Sequence, residues 1–361
     1  MTAFIAGYAR TPFTKFTGQL ATETAIALGA HAVTAALERA GVSPEDVDQL
    51  IAGQVLQAGA GQNPARQTAI GAGIGFDKPA QTLNVVCLSG TEAISQANRL
   101  INAGEAEVVV AVGQESMSQA PHVAPLRSAT KYGAAQFQDT VDHDGLTDAF
   151  ERVAMGTLTD QGNCTLGLNR CEQDAYAAQS HQRATQHQAF LVEEIAPYTV
   201  KTRRGETVIE HDDGVRGDAT AESLGKLRPA FTADGTVTAG NASQITDGAA
   251  AVVVVSEAAI ERLGLQPLAR IEATAFVAGP DVQLHSQPAN AIRAALDKTD
   301  YDASALQVVE INEAFASVSL QSARDLCIEL DKVNPRGGAI ALGHPIGASG
   351  TRIVGTLARQ L

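Results

Sequence analysis

Thr82-Leu83-Asn84-Val85-Val86-Cys87-Leu88-Ser89-Gly90 is the stretch whose reading decides the fold. Apolar Leu83, Val85 and Val86 predict a short buried strand. Ser89-Gly90-Thr91, ahead of Ala93, Ile94, Ala97, Leu100 and Ile101, predicts a helix start. Cys87 therefore falls at a strand-to-helix junction. Unpaired backbone N–H groups and the positive end of a helix dipole converge there, which favours the thiolate, the nucleophilic form of cysteine. The same N–H groups can hold an oxyanion formed on an attacked carbonyl. Free cysteine is also among the most buried residue types, so a structural thiol is the competing reading until other motifs speak.

Outward from this stretch the chain alternates. Residues 4–8 predict a strand, residues 22–41 a helix closed by Gly41, and residues 49–52 a second strand. After the Cys87 helix, Gly104 breaks into Glu107-Val108-Val109-Val110-Ala111-Val112, continuous enough for a strand buried on both faces. This order predicts an α/β fold with a mostly parallel sheet covered by helices. The second half repeats it, with a strand at 268–275, a helix at 288–296 and a strand at 306–311. Ala36-Leu37-Glu38 aligns with Ala295-Leu296-Asp297, and Ser89-Gly90-Thr91 with Ser349-Gly350-Thr351, each triplet opening a helix. Two related α/β halves follow.

Residues 119–240 differ in character: Pro, Gly, Gln, Asp and His rise, and a helical pattern at 170–189 is the strongest element. They predict a loop domain inserted over a site. Asp247-Gly248-Ala249-Ala250-Ala251-Val252-Val253-Val254-Val255 then returns to buried strand and rejoins the first sheet. The expected division is residues 1–118 with 241–264 as the first half, 119–240 as the loop domain and 265–361 as the second half.

With 361 residues, 45% hydrophobic and 18% charged, the chain has the composition of a globular protein with several packed units. No apolar run reaches bilayer length and no leader pattern opens the sequence, which predicts a cytoplasmic protein. A formal charge of −14 argues against a general nucleic-acid or membrane surface, so an anionic ligand would have to be met locally. Four cysteines, Cys87, Cys164, Cys171 and Cys327, make no disulfide framework, and with His181 they lack zinc spacing. Gly71-Ala72-Gly73-Ile74-Gly75 lacks dinucleotide-fingerprint spacing and predicts a helix-ending loop.

Two further polar points stand out. Asn312-Glu313-Ala314-Phe315 follows the expected strand 306–311, placing Asn312 where open α/β sheets present ligands; capping of the next helix is the alternative. His344 lies between Gly343 and Pro345 in a loop with five glycines from Gly337 to Gly350. The repeat sets it opposite Cys87, as a candidate base for the thiol.

Asn84-Val85-Val86-Cys87-Leu88-Ser89-Gly90, Gly113-Gln114-Glu115-Ser116-Met117-Ser118, Asn241-Ala242-Ser243, Asp247-Gly248-Ala249-Ala250, Asn312-Glu313-Ala314-Phe315 and Gly343-His344-Pro345-Ile346-Gly347 together resemble the thiolase family, especially bacterial acetyl-CoA acetyltransferases. The resemblance implies the thiolase fold, two similar α/β halves packed in α-β-α-β-α layers with an inserted loop domain. It implies an acyltransferase of fatty acid metabolism, a homodimer or homotetramer, whose substrates are acyl-CoA and acetyl-CoA. Coenzyme A enters as part of the substrate, with no separate cofactor and no metal. By position, Cys87 becomes the acylated nucleophile, His344 takes its proton, and Asn312 holds a water that with His344 forms an oxyanion site. Arg216, Ser223, Phe231 and Ser243 match positions contacting CoA; Leu146, Met155 and Ala239 match the walls of the pantetheine channel.

Two departures accompany the match. Ala154 stands before Met155-Gly156 where many members have His. The family's second active-site cysteine, in a Cys-x-Gly motif after the last helix, has no counterpart up to Leu361, so a further loop and two strands are expected beyond it. The competing expectations are an acyl-CoA hydrolase, a CoA-ester-binding protein without full activity, and, within the fold, a β-ketoacyl synthase.

Overall fold

The computed structural model describes residues 2–127, 131–203 and 205–361; Met1, residues 128–130 and Arg204 lie outside the described residues. The strands are β1 (Ala3–Arg10), β2 (Thr14–Lys15), β3 (Gln49–Gly53), β4 (Ala80–Leu83), β5 (Val108–Glu115), β6 (His122–Val123), β7 (Gln138–Asp139), β8 (Tyr198–Thr202), β9 (Gly205–Ile209), β10 (Thr246–Ser256) and β11 (Ala269–Ile271). The helices are α1 (Ala25–Ala40), α2 (Pro64–Gly71), α3 (Ser89–Ala103), α4 (Met155–Leu166), α5 (Arg170–Gln186), α6 (Gln188–Glu194), α7 (Ala221–Gly225), α8 (Glu257–Leu263), α9 (Gln287–Leu296), α10 (Ala316–Leu326), α11 (Ala339–Leu342) and α12 (Ile346–Gln360).

A seven-stranded sheet runs β11-β1-β10-β5-β3-β4, with β2 added to β10. Its pairing corrects the mostly parallel expectation: β3 is parallel to β4 and β5, whereas β10 runs antiparallel to both β5 and β1. Helix crossovers force β3, β4 and β5 into parallel order, but β10 returns from the long insertion and carries no such constraint. As expected, it rejoins the first sheet, and its eleven residues are all buried.

Alternation along these strands sorts side chains to two faces. Val108, Val110, Val112, Ala251 and Val253 pack with Leu28, Val33, Ala36 and Leu37 of α1; Val109, Ala111, Val252 and Val254 pack with Ile94, Ala97 and Ile101 of α3 and Ala358 of α12. Helix α1 forms where the 3.6-residue apolar period dictates. Thr24 caps its start by accepting Ala27 N–H, and Gly41 closes it at φ 70°.

The repeat is visible where α3 and α12 cross. A Cβ on Gly90 would collide with the backbone N of Thr351, and one on Gly350 with the backbone N of Thr91. The contact is reciprocal, as a pseudo-twofold relation between the aligned triplets requires. The register differs from expectation: Ser89 does open α3, but α12 opens at Ile346, so Ser349-Gly350 lies within its first turns.

Elsewhere the second half departs from the sequence reading. The expected strand at 268–275 shrinks to β11, which pairs with β1 of the first sheet. The expected strand at 306–311 makes no ladder among the described residues. It is an extended segment tied at one bridge, Val309 to Val333, by Val309 N–H to Lys332 O and Asn334 N–H to Val309 O. A strand exists only through a neighbour long enough to pair with it, and the flanking segment offers two hydrogen bonds. The helix at 288–296 is present as α9.

The loop domain holds more regular structure than the sequence signalled: α4, α6, α7 and the hairpin β8–β9 besides α5. It is docked on β1 through fully buried Arg10, which donates from Nε to Glu194 at 3.0 Å and from both terminal nitrogens to Asp212 at 2.7 and 2.9 Å. No helix among the described residues is long and apolar enough to cross a membrane.

Gly90→Ala is expected to lower stability by roughly 3 kcal/mol, because the added methyl has backbone on its far side. Gly264→Ala, whose Cβ meets open space at φ 66°, is expected to cost about 1–2 kcal/mol for its left-handed backbone alone. Urea midpoints of the two variants check the order; equal shifts would contradict a close α3–α12 crossing.

Candidate active site

Strand β4 ends at Leu83, so Val85 and Val86 correct the expected buried strand: they form a tight turn, with Val86 at φ 54° and about half exposed. A β-branched residue in that region is strained and must be held by its surroundings. Asn84 Oδ1 accepts Val86 N–H at 2.9 Å; Ser89 Oγ accepts Val85 N–H at 3.0 Å and donates to Val86 O at 2.7 Å. The turn delivers Cys87 to the α3 N-terminus. Its side chain sits against an apolar cluster of Val55, Leu56, Met117, Val141 and Ile346, which Leu146 joins.

From the other half, the chain between α11 and α12 brings in His344, 7% exposed. Its Nε2 lies 3.3 Å from Cys87 Sγ, across 257 residues of sequence. Its backbone is pinned by His344 N–H donating to Gln244 O at 3.0 Å and Thr246 Oγ1 at 3.2 Å. Its Nδ1 lies 2.5 Å from Ser349 Oγ, and that hydroxyl donates to Pro345 O at 3.1 Å. With its proton committed to Pro345, the Ser349 oxygen accepts from Nδ1–H. The lone pair of His344 then rests on Nε2, facing the thiol. Asn312 Nδ2 reaches the same nitrogen at 3.2 Å, and its buried Oδ1 has no partner among the described residues. Asn312 does not cap α10, whose N-cap is Phe315.

Burial sets the protons. It pushes the Cys87 thiol up to about 11, with the Glu115 carboxylate adding to the rise against one backbone hydrogen bond that opposes it. This corrects the expectation of a favoured thiolate: at this junction desolvation outweighs the helix end. Burial likewise lowers His344 to about 4, helped by the Arg352 guanidinium. At neutral pH the resting pair is thiol and neutral imidazole. Glu115 itself is pushed up to about 7 by burial although it accepts Val55, Leu56 and Gly347 N–H at 3.0, 3.1 and 2.9 Å. These bonds tie the end of β3 to the start of α12, a clamp the sequence signalled only as a carboxylate ending an apolar strand.

The remaining candidates fall into three places. Leu146 packs on the same apolar cluster as Cys87. Met155, Phe231 and Ser243 gather around the Asn312 loop: Met155 packs with Phe315, the Phe231 and Phe315 rings meet edge-on at 6.4 Å, and Ser243 N–H donates to Ala314 O at 3.0 Å. Gly156 lies so close to Phe231 that a Cβ there would enter the ring. Arg216, Ser223 and Ala239 are exposed on the loop domain, with Ser223 in the capping box of α7 and Arg216 N–H donating to His181 Nδ1 at 3.1 Å. Lys226 and Arg228, also exposed, stand nearby in sequence, and Lys226 pairs with Glu222 at 3.0 Å. Cys164, Cys171 and Cys327 are exposed and free, and no metal-binding group of three or more His, Cys, Asp or Glu occurs among the described residues.

A thiol and an imidazole brought together from two pseudo-related halves, with a neighbouring amide and an apolar approach, are the arrangement that acyl transfer through a cysteine nucleophile needs. Residues 3–258 match the thiolase N-terminal domain and residues 265–361 the thiolase C-terminal domain, so the chain belongs to the thiolase family. It is 52% identical to a probable acetyl-CoA acetyltransferase of Mycolicibacterium smegmatis over 97% of this chain and 91% of that protein. It is 50% identical to a probable acetyl-CoA acetyltransferase of Mycobacterium tuberculosis over 100% and 93%. To an acetyl-CoA acetyltransferase of Chromobacterium violaceum it is 47% identical over 100% and 93%.

Because the thiol rests protonated, its alkylation by iodoacetamide is expected to rise about tenfold per pH unit from pH 7 to 9, in step with the thiolate fraction. A plateau already reached at pH 7 would mean that Cys87 is a thiolate at rest.

Proposed function

We propose that this chain is an acyl-CoA:acetyl-CoA C-acyltransferase that forms or cleaves 3-ketoacyl-CoA such as acetoacetyl-CoA through an acyl-Cys87 intermediate. The observation that carries it is the 3.3 Å approach of His344 Nε2 to Cys87 Sγ. In the first step His344 Nε2 takes the thiol proton while Sγ attacks the thioester carbonyl. The carbon–sulfur bond to CoA then breaks, and the departing thiolate leaves as CoASH with the proton held on the imidazolium. The acetyl group remains on Cys87.

In the second step the neutral His344 Nε2 takes the α-proton of another acetyl-CoA, the enolate attacks the acyl carbon, the new carbon–carbon bond forms as the bond to Cys87 sulfur breaks, and the leaving thiolate recovers the proton from the imidazolium. The enolate oxygen accepts from the Nε2–H of the imidazolium so formed and from a water held by Asn312, whose Oδ1 has no partner among the described residues. The CoA arm runs past Leu146, Met155 and Ala239, and Arg216, Ser223, Phe231 and Ser243 contact CoA. An apolar slot with a few hydrogen bonds fits pantetheine, and a local cation fits the phosphates of an acidic protein's anionic substrate. The proposal includes a homodimer or homotetramer in the cytoplasm, working in fatty acid metabolism with no cofactor beyond the substrate's own CoA.

Exchange of label between acetyl-CoA and free CoA isolates the first step. Cys87→Ala is expected to abolish it, and His344→Ala to slow it roughly 10²–10⁴-fold as loss of a general base does, while Cys164→Ala leaves it unchanged. Exchange surviving in Cys87→Ala would overturn the proposal.

A further inference from the structure

Asn312 presents a difficulty. Among the described residues its side chain makes one hydrogen bond, to His344, and its Oδ1 makes none. It follows a segment without a ladder and precedes α10 by a short loop, so neither regular structure nor its own contacts fix its direction. His344, by contrast, is pinned independently through its backbone and Ser349.

Next to Asn312, Glu313 is fully buried and its carboxylate is saturated. Oε1 accepts Tyr176 OH and Asn334 Nδ2, each at 2.9 Å; Oε2 accepts Ser180 Oγ at 2.7 Å and Ile340 N–H at 3.0 Å. Gly338 completes the cradle, since a Cβ there would occupy the carboxylate's space, and Gly338 N–H donates to Ser180 Oγ at 3.1 Å. Asn334 grips the residue on the other side of Asn312: its Oδ1 accepts Ile311 N–H at 2.8 Å and its Nδ2 donates to Ile311 O at 2.9 Å. Both backbone neighbours of Asn312 are thus fastened to one buried network, which includes two side chains of α5 in the loop domain. A saturated carboxylate network holds its members in one arrangement, and removing one acceptor leaves buried donors unmet.

We infer that Glu313 is a positioning residue that aims Asn312 at the reacting centre and ties that aim to helix α5 of the loop domain. The inference rests on the proposed role of Asn312 in holding the enolate oxygen. Glu313→Gln keeps the shape but turns an NH2 group toward donors that need an acceptor.

The test is a double-mutant cycle on acetoacetyl-CoA thiolysis with the full chain. Asn312→Ala is expected to lower kcat. Glu313→Gln is expected to lower kcat about 10–100-fold, the scale of a displaced catalytic group, with KM within about twofold. The double variant should be no slower than Asn312→Ala. Effects that multiply would show that Glu313 does not act through Asn312 and would overturn the inference while leaving the proposed function standing. An unchanged kcat in Asn312→Ala would overturn both the role of Asn312 and the inference. Should Glu313→Gln fail to fold by circular dichroism, Tyr176→Phe and Ser180→Ala each remove one donor and are expected to show the same failure to multiply with Asn312→Ala.

Discussion

The close crossing of α3 and α12 is the constraint on which the site depends. Cys87 ends one half's turn and His344 the other's, and their side chains can share a proton only if the two helices behind them approach to backbone contact. Gly90 and Gly350 allow that approach from opposite sides of the pseudo-twofold, and Gly113 and Gly347 extend the same glycine-lined seam toward β5. Any side chain there would separate sulfur from nitrogen. The glycines of these motifs are therefore read as packing devices, set beside the chemistry rather than within it.

Around the seam, burial keeps the resting pair neutral and nearby charge adds to it. Glu115 stands on the thiol side and raises it; Arg352 stands on the imidazole side and lowers it. Arg352 is itself paired at 3.3 Å with Glu310, which burial pushes up to about 7 against the guanidinium's opposing pull. Both carboxylates also do structural duty, Glu115 on the start of α12 and Glu310 on its end through Gln360 at 2.9 Å. Glu115, which ties α12 to the first half, thus also raises the thiol, while Glu310 of the second half pairs with the arginine that lowers the imidazole.

Much of this was legible in the residues. The apolar run at 108–112, the return strand through 247–255 and the paired Ser-Gly-Thr triplets located the sheet, the insertion and the repeat, and through them Cys87 opposite His344. What was not legible depended on partners distant in sequence. Val85 and Val86 are apolar enough for a strand, yet the need to turn Cys87 into α3 overrides that propensity, and Asn84 and Ser89 supply the hydrogen bonds that stabilise the turn. The thiol's raised pKa reflects walls contributed by Leu56, Met117 and Ile346, which no local pattern shows. Residues 306–311 look like a strand by composition but find no ladder among the described residues. Nothing local in the sequence singles out Glu313, and only the fold reveals the four donors around it.

The central claim, that a sulfur from one half and an imidazole from the other act on one thioester, is tested most directly by peptide mass spectrometry after acid quench of the protein mixed with acetyl-CoA. The account predicts an acetyl group on the peptide carrying Cys87 and none on those carrying Cys164, Cys171 or Cys327. Cys87 left unmodified, or labelled no more than the exposed cysteines, would contradict it.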